Sequence, residues 1–208
     1  MKTIITIQHA QSEQHLNGMV GGWTDWNLTE LGRKQADCIG RRLLKELGEN
    51  PPFKAYTSDL KRVYQTADIA LGHLGLQAER RKELREIYFG SATGKSNEWM
   101  EAHKLPREGL SNFDYRNLAD AESERDVYQR ISPFVTELEK SPEENFIVAS
   151  HCCALTMFFA RWLDLDPAQM EKSRFEGYAA GVSILKMDDA GRKYVASLND
   201  RLYLADLL

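Results

Sequence analysis

Phe146-Ile147-Val148-Ala149-Ser150-His151 sets a continuous apolar run directly against a histidine. A run this short and this apolar reads as a strand buried on both faces, as in the middle of a parallel sheet. Near the start of the chain, Thr3-Ile4-Ile5-Thr6-Ile7-Gln8-His9 repeats the arrangement, with β-rich residues ending on a polar pair. Around these two strands the pattern alternates. Residues 29–47 place Leu31, Ala36, Ile39, Leu43 and Leu47 at helical spacing; Thr29-Glu30 is the cap region, and Gly48, Pro51 and Pro52 end the helix. Residues 55–57 predict a short strand and 60–74 a helix. Residues 123–140 predict a helix with Val127, Ile131, Val135 and Leu138 on one face, and 154–163 an apolar helix. Residues 181–187 and 194–198 close the chain as strands around a turn at 188–191. Strands alternating with helices predict an α/β domain, a three-layer α/β/α sandwich on a mainly parallel sheet. Ligands of such sheets bind at the carboxyl ends of strands, and His9 and His151 stand at two such ends.

From Ser91 to Asp120 the periodicity lapses, with Gly, Pro and Asn scattered among charges. It resumes at Glu122 without a low-complexity break, so this segment predicts an irregular cap over the site within a single domain, residues 1–208. A net charge of −4 without a long basic run argues against a nucleic-acid partner. A small anionic substrate fits, because a local Arg/His cluster acts against a weakly acidic background. The cysteines, Cys38, Cys152 and Cys153, are odd in number and irregular in spacing, which predicts reduced thiols and a cytoplasmic protein. The apolar part of the first ten residues is too short for a signal or membrane segment.

Two histidines at strand ends and an arginine after another strand suit phosphoryl chemistry. Neutral imidazole attacks phosphorus, and a second imidazole or a guanidinium neutralises the phosphoryl oxygens. Other chemistries fail on spacing. A cysteine phosphatase needs Arg six residues after its Cys, where this chain has Phe158 and Phe159. No zinc spacing occurs, and Gly18–Gly22 is followed by no Gly-Lys-Ser/Thr.

Longer motifs carry a resemblance. Gln8-His9-Ala10 with Ser12 stands where the histidine phosphatase (phosphoglycerate mutase-like) superfamily has Arg-His-Gly with Ser or Thr. Gly22-Trp23-Thr24-Asp25-Trp26-Asn27-Leu28-Thr29 is similar to its Gly-Trp-x-Asp-x-x-Leu-Thr segment, and Ser58 to Ala67 to its Ser-x-Leu-x-Arg-x-x-Gln-Thr-Ala block. Leu84-Arg85-Glu86 resembles its Leu-x-Glu segment, and Ser150-His151-Cys152 stands at its second His-Gly. The matches run in order along the chain.

This resemblance implies that His9 takes up a phosphoryl group, Arg62 and His151 bind its oxygens, and Glu86 serves as acid and then base. Gln8, Ser12, His15, Gly22 and Cys152 would border the substrate. No metal or cofactor is implied. Three departures cluster at the phosphate pocket: Gln8 for Arg, Ala10 for Gly and Cys152 for Gly. His15 stands where many members have Asn. Gln keeps donors but loses the charge and the bidentate fork.

The expected function is hydrolysis of a small phosphorylated metabolite through a phosphohistidine, slowed by Gln8. A phosphate-binding or regulatory protein with little turnover is the alternative, and mutase-type phosphoryl transfer a second. Only 65 residues separate Glu86 from His151, short for a mutase of the resembled kind. Arg107 and Arg116 are cations available to a second anionic group, or solvated surface residues. Trp23, Trp26 and Tyr88 read as packing, with the two tryptophans near the entrance. No membrane partner is expected, and homodimer formation stays open.

Overall fold

The two apolar runs become the centre of one sheet. The computed structural model describes residues 1–207; Leu208, the end of the expected span, lies outside the described residues. Among them six strands pair in the order β3-β2-β4-β1-β5-β6. β1 (Lys2–Gln8) lies parallel to β4 (Asn145–Ser150), and β2 (Lys54–Ser58) and β3 (Ala78–Arg81) extend the parallel part. On the other side β5 (Val182–Met187) and β6 (Lys193–Asp200) pair antiparallel, as the turn between them requires. The sheet is therefore mixed but mainly parallel. β3 has no counterpart among the sequence expectations. Ala78-Glu79-Arg80-Arg81 is an edge strand that buries no residue fully, so it carries no hydrophobic signal.

Five α-helices occur among the described residues: α1 (Glu30–Leu47), α2 (Lys61–Gly72), α3 (Asn97–His103), α4 (Glu124–Lys140) and α5 (Cys152–Trp162). Successive strand residues face opposite sides. Ile5, Ile7, Ile147 and Ala149 pack with Ile39 and Leu43 of α1 and Val63 and Ala70 of α2. Ile4, Phe146 and Val148 pack on the other face with Val127 and Ile131 of α4 and Phe158 and Trp162 of α5. Both faces of the central strands are thus dry, which is why their sequence reads as apolar throughout.

The segment read as irregular contains α3. Its Ser96 hydroxyl caps the helix by accepting the Trp99 N–H at 3.1 Å. Seven residues with none fully buried leave no apolar stripe to read. Among the described residues no helix is long and apolar enough to cross a membrane.

Register places the site. Gln8 lies opposite Ser150, and Thr57 opposite Ala149. His9 and His151 therefore leave neighbouring strands at one level. Arg62 follows in the first turn of α2 after β2, and Glu86 follows β3 after a short 3-10 turn, Lys82–Leu84. Each of the four parallel strands delivers one residue.

Candidate active site

His9 is 3% exposed, and its ring lies 5.2 Å from that of His151. Its Nδ1 is 2.8 Å from the Ala10 carbonyl oxygen. A carbonyl only accepts, so Nδ1 carries the proton and Nε2 keeps its lone pair. The Arg62 Nε–H donates to that Nε2 at 3.3 Å. Burial first, then the Arg62 guanidinium, hold the His9 pKa well below the ordinary histidine range. The imidazole is accordingly neutral, the form in which nitrogen is nucleophilic.

Arg62 is fully buried, and two of its other N–H groups are held by the glycine-tryptophan loop. It donates to the Gly22 carbonyl at 2.8 Å and to the Thr24 carbonyl at 2.8 Å. Gly22 has a φ of +54°, and an added Cβ would stand 2.9 Å from the Phe89 ring and 3.2 Å from the Ile87 carbonyl. Conformation and space both call for glycine there. Burial lowers the Arg62 pKa to about 10, so the guanidinium stays charged at neutral pH. The Thr66 hydroxyl, one turn along α2, donates to the Arg62 carbonyl at 2.7 Å and accepts the Ala10 N–H at 3.1 Å, tying the arginine to the histidine loop.

His151 is fully buried. Its Nε2 is 3.1 Å from the Ser58 hydroxyl, while its Nδ1 is buried without a hydrogen-bond partner. Burial, then Arg62 and His9, push its pKa well down. Glu86 borders a cavity of about 430 Å³ together with Gly22 and Cys152. Its surroundings desolvate the carboxyl and raise its pKa, against the N–H of Ile87, 2.9 Å from Oε1, and the Arg62 charge. The backbone beneath it is fastened from two sides. The Trp23 Nε1–H donates to the Glu86 carbonyl at 2.7 Å, and Arg130 donates to the carbonyls of Glu83, Arg85 and Glu86 while clamping Glu122 with two N–H groups.

His9, Arg62, Glu86 and His151 thus converge. His15 joins them, its ring 5.5 Å from that of His9. The Ser12 backbone N–H donates to His15 Nδ1 at 3.0 Å, which leaves the proton on Nε2. Ser12 itself is fully buried and acts by holding that ring. Gln8 is not brought to the cavity. Its carboxamide is turned against Gly177, so close that a Cβ there would lie 2.1 Å from Oε1. The side chain of a strand's last residue follows the sheet's alternation, and at position 8 this points it under Cys152 and away from the phosphate side. Cys152 is half-buried with Sγ 3.8 Å from the Gly177 carbonyl, and burial raises both its pKa and that of buried Cys153. Neither thiol is an activated nucleophile.

Sequence reading missed Ser58, Thr66, Arg130 and the binding role of the Trp23 indole. Ser58 ends a strand and was within reach of the strand-end rule. Arg130 sits mid-helix with no local signal.

Residues 4–201 match the histidine phosphatase superfamily, branch 1. "Putative phosphoserine phosphatase 2" of Hydrogenobacter thermophilus is 33% identical over 154 residues, 73% of either chain. The 6-phosphofructo-2-kinase/fructose-2,6-bisphosphatase 3 of Bos taurus is 31% identical over 175 residues, 81% of this chain and 35% of that longer one, so this chain spans about a third of it. The solved structure of Bacillus stearothermophilus YhfR superposes with a TM-score of 0.82 at 24% identity, covering 98% of this chain and 100% of that one. The fold is the phosphoglycerate mutase-like α/β fold, and the chain belongs to the histidine phosphatase superfamily.

Proposed function

We propose that the chain is a phosphomonoesterase that hydrolyses a small phosphorylated metabolite through a phosphohistidine. The observation that carries this reading is the fixed tautomer of His9: the Ala10 carbonyl takes the Nδ1 proton and leaves Nε2 as a neutral nucleophile beside a buried cation. As a phosphoryl group enters, the Arg62 Nε–H shifts its hydrogen bond from His9 Nε2 to a phosphoryl oxygen. The Nε2 lone pair then forms the N–P bond while the P–O bond to the leaving alcohol breaks. Glu86, whose carboxyl is biased toward its protonated form by desolvation, gives its proton to the leaving oxygen. The resulting carboxylate takes a proton from water, whose oxygen attacks phosphorus, and the N–P bond breaks to release phosphate. With the Ser58 hydroxyl donating to Nε2, the Nδ1–H of His151 is left unpartnered to serve a phosphoryl oxygen, and His15 Nε2–H supplies another donor. Residues 91–120 act as the cap over this site. Among the described residues no group of three or more His, Cys, Asp or Glu side chains stands together to hold a metal ion.

The orientation of Gln8 favours a second reading, a phosphate-binding protein with little turnover. With the side chain turned to Gly177, the phosphate charge falls to Arg62 and the imidazoles. A hydrogen bond to a charged group is worth about 1.5–3 kcal/mol, roughly one to two decades in rate. The test is hydrolysis of a generic aryl phosphate. Turnover abolished in His9→Ala and retained in Gln8→Arg, whose side chain leaves the strand in the same direction, is the expected result. Turnover indifferent to His9 would end the mechanism, and none in the wild type would favour the binding reading.

A further inference from the structure

We infer that the cavity selects a phosphomonoester whose leaving group is a neutral, hydroxyl-rich alcohol of the sugar or polyol class, and works against any substrate with a second anionic group. The inference rests on the phosphatase reading. The two cations that the sequence offered for a second anion are committed elsewhere. Arg107 pairs with Glu171 at 2.9 Å and Arg116 with Asp126 at 2.8 Å, and neither lines the cavity. Among the described residues the cation that does line it is Arg174, whose guanidinium is bonded to Glu124 at 2.8 Å. Glu86, the other carboxyl on the wall, is held toward its neutral form by desolvation.

Outside the phosphate site the lining charges therefore cancel. A second phosphate or carboxylate that took the other N–H groups of Arg174 would still face the Glu124 carboxylate across a partly enclosed space, where like charges repel more than in water. The N-terminus of α4 offers no anion site either. Glu124 is its first residue, Ser123 caps it, and Asp126 accepts the Ser123 N–H at 2.7 Å, so acidic groups already complement the helix dipole. What remains on the wall is neutral: the amides of Gln14 and Asn117, with Ile87, Phe89 and the Tyr115 ring. Gln14 Oε1 is buried with no hydrogen-bond partner. Amides both donate to and accept from hydroxyls, and aromatic faces take the C–H faces of a sugar. About 430 Å³ lies within the ordinary range for a small ligand.

The test measures kcat/KM, each relative to the same generic aryl phosphate, for glucose 6-phosphate and sorbitol 6-phosphate against 3-phosphoglycerate, phosphoserine and fructose 1,6-bisphosphate. The neutral-alcohol esters are expected to lead by at least tenfold. Glu124→Gln, which frees Arg174, is expected to raise the ratio of second-anion to neutral substrates at least tenfold, and adding Arg174→Gln to remove that gain. A wild type that prefers the second-anion substrates, or a Glu124→Gln ratio that does not move, overturns the inference. In both cases His9-dependent turnover of the aryl phosphate leaves the phosphatase reading standing. No turnover of any ester overturns that reading and the selectivity with it.

Discussion

Glu86 and His9 need opposite protonation states at once, and the structure moves their pKa values in the directions that allow it. Burial lowers His9 from an ordinary value of 6.5, so it is neutral below that pH. Desolvation raises Glu86 from 4.5, so it stays protonated above that pH. The rate should fall on the acid side as His9 gains its proton and on the alkaline side as Glu86 loses its own, giving a bell displaced toward acid. Glu86→Gln should remove the alkaline limb and lower kcat by about 10²–10⁴ on alkyl phosphates. Aryl phosphates, whose leaving groups need less protonation, should lose less. A pH–rate profile of both substrates reads this, and an unchanged alkaline limb would take Glu86 out of the mechanism. Arg62→Lys tests the cation in the same way. One ammonium on a flexible stem cannot reach Gly22, Thr24 and His9 together. A loss of roughly 10²–10³ in kcat, the cost of removing one oriented donor, is expected in steady-state kinetics.

At the level of elements, α1 is the strut behind the histidine loop. Its N-cap Thr29 accepts the Gly32 N–H at 3.0 Å, and its hydroxyl lies 2.7 Å from Gln11 Oε1. Gly32 lets the helix start press on that loop, since an added Cβ would lie 1.9 Å from the Gln11 carbonyl oxygen. Thr29→Ala should cost about 1 kcal/mol in urea unfolding, an ordinary cap loss. Gly32→Ala should cost about 1–3 kcal/mol, because backbone has to move, and should lower kcat as well by shifting Gln11 and with it His9. A Gly32→Ala protein with normal kcat would show that the loop is positioned without α1. These consequences were only partly legible beforehand. The spacing of Leu31 to Leu47 announced the helix and Thr29 its start. That Gly32 touches Gln11 is a fact of packing, for glycine inside a helix has no periodic signature.

Across the whole molecule, burying two neutral histidines ties stability to pH. The unfolded chain binds protons at His9 and His151 near pH 6.5, while the folded chain refuses them until well below that. Stability should therefore drop as pH falls through and below about 6.5, by up to roughly 1.4 kcal/mol per pH unit for each histidine. Glu86 works the other way: its contribution is full below 4.5 and is lost as pH rises through its raised folded value. Two histidines outweigh one glutamate, so the net change is acid destabilisation. Urea midpoints measured from pH 7.5 to 5 should show it, and His151→Asn should flatten the slope. A flat wild-type curve would mean that the two rings stay wet.

The sequence by itself determined the class of sheet, the strand ends that carry His9 and His151, and the family to which the motifs belong. Apolar runs, helical spacing and ordered motifs are local, and local patterns survive without coordinates. Only the tertiary structure decided which ring nitrogen of His9 is free, that Gln8 turns to Gly177, and that Arg107, Arg116 and Arg174 are all spoken for. Each depends on partners brought together by the packing of separate elements, such as Glu171 for Arg107 and Glu124 for Arg174. A charge's effect is set by what stands within a few ångströms of it, and that distance is written in the fold.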